Sequence, residues 1–245
     1  MKISAKTDIG AFRESNQDAY LAGSFETGDV WAVVCDGMGG VSGGQVASKI
    51  CVERVAEAIK RGYRDNMTIK TAQNLLNSAI CAANSAVFTE ANNNRELSGM
   101  GTTVVAVMVI KGMAVIAHVG DSRAYIFHNN MELITKDHSL VQYLYDTGKI
   151  TEEEAKVHPD RNIITRAVGI LSFVDVDFDL VEIGENKSIL MCTDGLSGSL
   201  EADEMLDIIN QNADSSAEKL VEKAIEAGSR DNITAVLLVA DSQGE

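Results

Sequence analysis

Seven short stretches of this chain are rich in β-forming residues (30–35, 103–110, 114–119, 124–127, 173–181, 188–192 and 233–239), and several of them are apolar at nearly every position. A strand with one wet face alternates apolar and polar residues, so a strand that does not alternate has to be covered on both sides. Three amphipathic stripes offer that cover. Ala47, Ile50, Cys51, Val55, Ala58 and Ile59 recur at helical spacing and predict a helix over about 44–61. Ala72, Leu75, Leu76, Ala79, Ile80, Ala83 and Val87 predict a second, and Ala217, Leu220, Val221, Ala224 and Ile225 a third, with Ser215 and Glu218 spaced as a capping box. Lys111-Gly112 and Asn129-Asn130 are tight-turn pairs between neighbouring strands, which favours antiparallel hairpins. Packed sheets with helices outside satisfy every one of these elements.

With 245 residues, 45% of them hydrophobic, the chain can enclose its core in one large unit, and 1–245 is read as a single domain. The polar stretch 137–172 carries weak helical pieces at 140–145 and 152–155 between two strand regions. It reads either as a flap over a site or as a plain surface insertion. A formal charge of −15 without a basic stripe leaves nothing to neutralise nucleic-acid phosphates, while it suits cations or basic peptides. Charged residues interrupt the first twenty positions, and the apolar run 104–110 is far too short to span a bilayer. The expectation is a cytoplasmic monomer without a nucleic-acid or membrane partner. Cys35, Cys51, Cys81 and Cys192 lack CxxC spacing and read as buried free thiols.

The chemistry concentrates in aspartates at the ends of β-runs. Asp18 precedes one, Asp36, Asp121 and Asp194 follow others, and Asp231 stands two residues before the last. In antiparallel sheets the exit of one strand and the entry of its neighbour share an edge, so these five can gather at one rim. Clustered carboxylates repel unless cations neutralise them, and all-oxygen ligands select hard ions such as Mg²⁺ or Mn²⁺ over zinc. Taken singly, each aspartate is better read as the start of a turn. Glycine decides between the readings: Asp36-Gly37-Met38-Gly39-Gly40, Gly120-Asp121 and Asp194-Gly195 leave backbone room for an ion and for carbonyls turned inward. No cysteine has an arginine at C-x₅-R spacing, and 37–44 lacks the Gly-Lys-Ser/Thr ending of a P-loop. Asp175-x-Asp177-x-Asp179 marks the polar face of a strand.

An ordered series of motifs nearly spans the chain. Arg13-Glu14-Ser15-Asn16-Gln17-Asp18, Asp36-Gly37-Met38-Gly39-Gly40, Gly99-Met100-Gly101-Thr102-Thr103 and Gly120-Asp121-Ser122-Arg123 are followed by Asp137-His138-Ser139, His158-Pro159, Thr165-Arg166-Ala167-Val168-Gly169, Cys192-Thr193-Asp194-Gly195 and Asp231-Asn232-Ile233-Thr234. The series resembles the metal-dependent type-2C family of protein serine/threonine phosphatases in its compact bacterial form. The resemblance implies an α+β fold, a four-layer α-β-β-α sandwich of two antiparallel sheets flanked by helices. It implies hydrolysis of phosphoserine and phosphothreonine by water activated at a dinuclear Mn²⁺ or Mg²⁺ centre, opposing a serine/threonine kinase that shares its phosphoprotein substrates.

Residue by residue, the resemblance makes Asp36 a bridge between two metals, Gly37 a carbonyl ligand to one of them, and Asp194 with Asp231 the shell of the other. Asp18 is expected to act through metal-bound water, Asp121 with Asp194 at a third, weaker metal, Arg13 on the substrate phosphate, and Asn232 as support for Asp231. Two positions depart from the animal pattern. Met38 stands where a histidine commonly follows the Asp-Gly pair, which moves the leaving-group acid to a metal-bound water, and Gln17 replaces a metal-binding glutamate. His118 and His128 read as structural, His138 and His158 as neighbours of the flap, and Arg161 and Arg166 as solvated charge. The alternative from another class is a catalytically silent phosphoprotein-binding scaffold, against which Asp36, Asp194 and Asp231 argue.

Overall fold

The computed structural model describes residues 1–184, 187–212 and 215–240; residues 185–186, 213–214 and 241–245 of the expected 1–245 unit lie outside the described residues. The chain opens with β1 (Lys2–Asp8), β2 (Asp18–Ser24) and β3 (Val30–Met38), followed by the long helices α1 (Gly40–Gly62) and α2 (Ile69–Asn93). Next come β4 (Gly101–Thr102), β5 (Val104–Ile110), β6 (Met113–Val119), β7 (Arg123–Phe127) and β8 (Met131–Leu133), then the short helices α3 (Leu140–Asp146) and α4 (Glu152–Val157). β9 (Asp177–Glu182), β10 (Ser188–Cys192), α5 (Asp194–Ser197), α6 (Ala202–Gln211), α7 (Ser216–Glu226) and β11 (Ile233–Val239) complete it.

Among the described residues the strands form two antiparallel sheets, one ordered β1-β11-β10-β7-β8 and the other β2-β3-β5-β6-β9 with β4 added beside β3. Side-chain alternation explains why the strands looked apolar throughout. In β3, Val30, Ala32 and Val34 pack between the sheets against residues such as Ile126, Ile189 and Val236, while Trp31, Val33 and Cys35 face α1 and α2. In β11, Val236 and Leu238 point between the sheets, and Ile233, Ala235 and Leu237 meet α6 and α7. Both faces of the central strands are therefore dry, and each fully buried Val, Ile or Leu contributes roughly 1.5–3 kcal/mol. The result is the expected helix, sheet, sheet, helix stack, with a rigid scaffold beneath the loops at the strand ends.

Local expectations fared unevenly. The Lys111-Gly112 turn forms with both residues at positive φ (50° and 77°), as a two-residue hairpin between twisted strands requires. The first helix begins at Gly40 rather than near Gly44, its start bonded by the Gln17 amide to the Gly40 carbonyl. Ser215 is the N-cap of α7 but its side chain makes no capping bond. A reciprocal capping box stands instead at Thr151 and Glu154 of α4. Strand β1 escapes an apolar-run search because it is an edge strand that keeps Lys2 and Lys6. Of the expected strand 173–181, only its second half pairs with β6; Val174 and Val176 pack against the core without joining the ladder. Cys81 is half-exposed, whereas Cys35, Cys51 and Cys192 are buried.

The 137–172 stretch is cross-bonded within itself and tied at its two ends to β4 and to Gly120 after β6, where His138 N–H donates to the Gly120 carbonyl (2.9 Å). Thr165 N–H donates to the His138 carbonyl (2.8 Å), Leu140 N–H to the Ile163 carbonyl (2.8 Å), and Thr102 and Val168 exchange backbone bonds (3.0 and 2.8 Å). These bonds hold residues 162–164 over the ends of β3 and β10.

Candidate metal centre

Both sheets deliver carboxylates to one end of the sandwich. In the β2–β3 register Asp18 lies directly opposite Asp36, so the two share a face. Asp121 follows β6, Asp194 opens α5 straight after β10, and Asp231 precedes β11. Asp36, Asp121, Asp194 and Asp231 line one cavity of about 520 Å³ with Arg13, Gly37 and Asn232. Asp18 sits behind them, its Oδ2 accepting hydrogen bonds from the hydroxyls of Thr193 (2.8 Å) and Thr234 (2.7 Å). All five sequence-predicted aspartates are thus brought together. The roles of Thr193, Thr234 and Thr103 do not show in the sequence; Thr234 lies inside an apolar run, and Thr103 and Thr193 stand at the edges of two others. Thr103 accepts the Asp36 N–H at 2.9 Å and holds the strand end that carries the carboxylate.

The backbone around Asp36 is shaped as closely as its side chain. A Cβ on Gly37 would stand 2.0 Å from the Gly44 carbonyl oxygen and 2.7 Å from that of Gln17, so only glycine lets α1 approach β3 here. Gly39, the left-handed N-cap of α1, and Gly40 open this helix terminus into the cavity, where its positive end favours anionic side chains.

Charge on this cluster is unbalanced. Burial pushes Asp18 up to about 7, partly offset by its two threonine bonds and reinforced by Asp194 and Asp231. Burial and the Asp194 charge put Asp121 at about 7. Burial and Asp231 put Asp194 at about 6, despite a hydrogen bond with Asp36. Asp36 itself is raised well above the carboxylate range, by burial first and then by Asp18, Asp194, Asp121 and Asp231. Asp18 Oδ1 and Asp194 Oδ1 are buried without a hydrogen-bond partner among the described residues. Carboxylates that repel one another and keep bare oxygens pointing inward fit hard divalent cations, which supply the missing charge and accept those lone pairs.

Arg13 reaches the cavity from the loop between β1 and β2 and pairs with the Asp231 carboxylate while remaining half-exposed. Its loop is pinned by Asn232. That side chain accepts the Gln17 N–H (2.8 Å) and donates to the carbonyls of Ile9 (2.9 Å) and Ser15 (3.0 Å), whereas its backbone N–H supports Asp231 (2.8 Å). The expected support of the last aspartate therefore comes from the main chain, and the amide fastens the arginine loop. Asn232→Ala is expected to cost about 2 kcal/mol, since buried backbone groups lose partners. It should weaken binding of an anion at Arg13 more than it weakens cation binding. Calorimetry and binding titrations check this, and an unchanged melting temperature would show that the loop is held otherwise.

His118, His138 and Asp177 also bring ligand atoms within 4.8 Å of one another. The His138 ring is already committed on both nitrogens, however. His138 Nδ1 accepts the Gly120 N–H (3.1 Å), so its proton lies on Nε2 and goes to Asp177 (3.1 Å), which also pairs with Arg166 (2.7 Å). Ligation through His138 Nε2 would require breaking that relay. Arg166 is thereby a partner of the Asp177 carboxylate rather than solvated charge, and the Asp177 face of β9 is where the sequence reading put a polar strand face. Among the described residues at the cavity, Met38 and Ile164 supply apolar wall and Asn162 polar wall. Gln17 spends its amide on the Gly40 carbonyl (2.8 Å).

Comparisons with known proteins bear on this geometry. The family model for protein phosphatase 2C matches residues 13–237. The serine/threonine phosphatase stp of Listeria welshimeri is 37% identical over 246 residues, covering 97% of this chain and 95% of its own length. The crystal structure of the serine/threonine phosphatase Stp1 from Staphylococcus aureus matches with a TM-score of 0.91 at 34% identity, covering 98% of this chain and 95% of that one. The catalytic domain of the serine threonine protein phosphatase PstP, solved in complex with two manganese ions, matches with a TM-score of 0.84 at 31% identity over 98% of both chains.

Proposed function

The chain belongs to the protein phosphatase 2C family, and from that premise we propose that its cavity hydrolyses phosphoserine and phosphothreonine in proteins at a centre of two divalent cations. The observation that carries the reading is the convergence of four cavity-lining aspartates with Asp18 behind them, with Asp18, Asp36, Asp121 and Asp194 each raised first by burial and then by neighbouring carboxylates. In this reading Asp36, the Gly37 carbonyl, Asp194 and Asp231 hold two Mn²⁺ or Mg²⁺ ions. Asp18 braces them from behind, and Asp121 with Asp194 forms a third, weaker site. Phosphate monoesters resist water so strongly that about 20 kcal/mol must be taken off the barrier. The cations, when bound, activate water and screen charge on the transferring group.

The chain's own residues do the rest. Arg13 presents a planar fork to two phosphate oxygens, and Asp231, its present partner, sets where that fork waits. Asn232 keeps the fork's loop in place, and Met38 and Ile164 exclude water from one side. Met38 has no proton to give, so the leaving group takes its proton from solvent in the site. Residues 1–245 act in this reading as one catalytic unit with 137–172 as its flap, supported by Asn162 and Ile164 reaching the cavity. The partners are phosphoproteins and the serine/threonine kinase that makes them.

The test is release of phosphate from a small aryl phosphate and from a phosphothreonine peptide, by protein stripped with chelator and then given Mn²⁺. Turnover should appear only on metal addition. Arg13→Ala should raise KM by about tenfold, the worth of one charge-assisted bond, with a smaller fall in kcat. Peptide binding without any phosphate release would favour the silent scaffold.

A further inference from the structure

The sides of the cavity mouth differ in chemistry. Arg13, Glu14 and Ser15 make one part of the lining polar, whereas Met38 and Ile164 contribute apolar wall. Ile170 stands next to that wall. A Cβ built on Gly101 would meet Met38 Cε at 2.8 Å and Ile170 Cδ1 at 2.9 Å, so the two side chains close over the same glycine. Ile170 is nevertheless 41% exposed, and the exposed Leu171 (56%) and Phe173 (66%) follow it in the chain.

This exposure is built, not loose. Asn84 of α2 is buried, and it spends its whole amide on the backbone either side of Ile170. Its Oδ1 accepts the Gly169 N–H (2.7 Å) and its Nδ2 donates to the Leu171 carbonyl (3.0 Å). Val168 is tied to Thr102 just before. A buried polar side chain that clamps two neighbours of an exposed isoleucine holds an apolar surface in water, beside the site, in one position.

What passes over that surface follows from covalent geometry. Phosphorus in phosphoserine or phosphothreonine is only a few bonds from Cα, so a phosphate lodged between Arg13 and the aspartates keeps the peptide backbone at the mouth. The next Cα atoms then lie about 3.8 Å to either side, and one flanking side chain has to cross the apolar wall. We propose that Met38, Ile164 and Ile170 form a preorganised shelf that receives the side chain beside the phosphorylated residue, and that this shelf selects phosphopeptides with an aliphatic or aromatic neighbour. The inference rests on the phosphatase reading and adds to it the class of sequence preferred.

The experiment uses full-length, Mn²⁺-loaded protein and a set of phosphothreonine peptides in a polar background. Leu, Gln or Asp is placed singly at each of the two positions on either side. At one flank, Leu should exceed Gln in kcat/KM by about tenfold, the scale of discrimination that one apolar pocket contact provides. The Leu to Gln ratio should fall to about twofold or less in Ile170→Ser and decline in Asn84→Ala, which frees the backbone clamp without altering the shelf's side chains. Because a ratio of two peptides on one preparation cancels any loss of active enzyme, partial misfolding of either variant does not obscure the result. A parent enzyme indifferent to every flank, or a preference that Ile170→Ser leaves intact, overturns the shelf while the phosphatase reading stands. Inactivity of the parent towards the aryl phosphate and all peptides overturns both.

Discussion

Asp36→Asn is expected to lower kcat on aryl phosphate and phosphopeptide by about three orders of magnitude or more, and at the same time to raise the melting temperature of the metal-free protein at neutral pH. The two effects have one cause. Asp36 lies opposite Asp18 and feels, after its own burial, the charges of Asp18, Asp194, Asp121 and Asp231. Asparagine keeps the shape, and the backbone bonds that Thr102 and Thr103 make to residue 36 do not depend on the side chain. Burial and four neighbouring carboxylates hold Asp36 well above the carboxylate range, so folding takes up a proton there; asparagine removes that cost, and the metal-free protein should melt higher. The same change deletes the carboxylate on which all four others act, which in the proposed centre is the anchor the cations share. Calorimetry in chelator together with single-turnover kinetics in Mn²⁺ reads both effects. A variant that keeps a tenth of parental turnover, or that melts lower than the parent without metal, would contradict the role given to Asp36.

The second large effect is a pH dependence that metal should erase. Asp18 and Asp121 titrate at about 7 and Asp194 at about 6 in the folded chain, against about 3.9 for an unfolded aspartate. Between those values the folded protein holds more protons than the unfolded one, so by linkage stability falls as pH rises. The penalty is absent below about pH 4, grows through the interval, and is complete above about pH 7. Metal-free protein should therefore melt higher at pH 5 than at pH 8. Mn²⁺ at a hundred times its Kd adds about 2.7 kcal/mol, or roughly 5–10 °C for a chain of this size. That gain should be larger at pH 8, where no proton competes for the carboxylates. Thermal scans at both pH values, with chelator and with Mn²⁺, test the sign. Asp36→Asn should flatten the metal-free slope, and equal melting temperatures at both pH values in the parent would refute the unbalanced cluster.

Much of this was legible in one dimension. Runs apolar at every position announced strands covered on both faces, and helical stripes announced the covers, because burial leaves a period in the chain. Asp-Gly pairs at strand ends marked the carboxylates, since both a strand boundary and the need for backbone room are local properties. Other features failed locally for equally physical reasons. Edge strand β1 can keep its lysines, and so has no apolar run to be noticed. The side chain of Ser215 makes no capping bond, although its spacing to Glu218 is correct, because a cap also needs extended backbone at the N-cap and Ser215 stands at φ −126° and ψ 23°.

The order of residues along the chain sets which chemistry is available, namely carboxylates, glycines and one well-placed arginine on a layered α+β frame. Tertiary structure alone decided who meets whom. Arg13 waits on Asp231 across 218 positions of chain, Asn232 ties down the arginine's loop, and Asn84 presents Ile170 from 87 residues before the carbonyl it bonds. Such partners are chosen by strand register and layer packing, which are sums over the whole chain, and no window of neighbouring residues contains them.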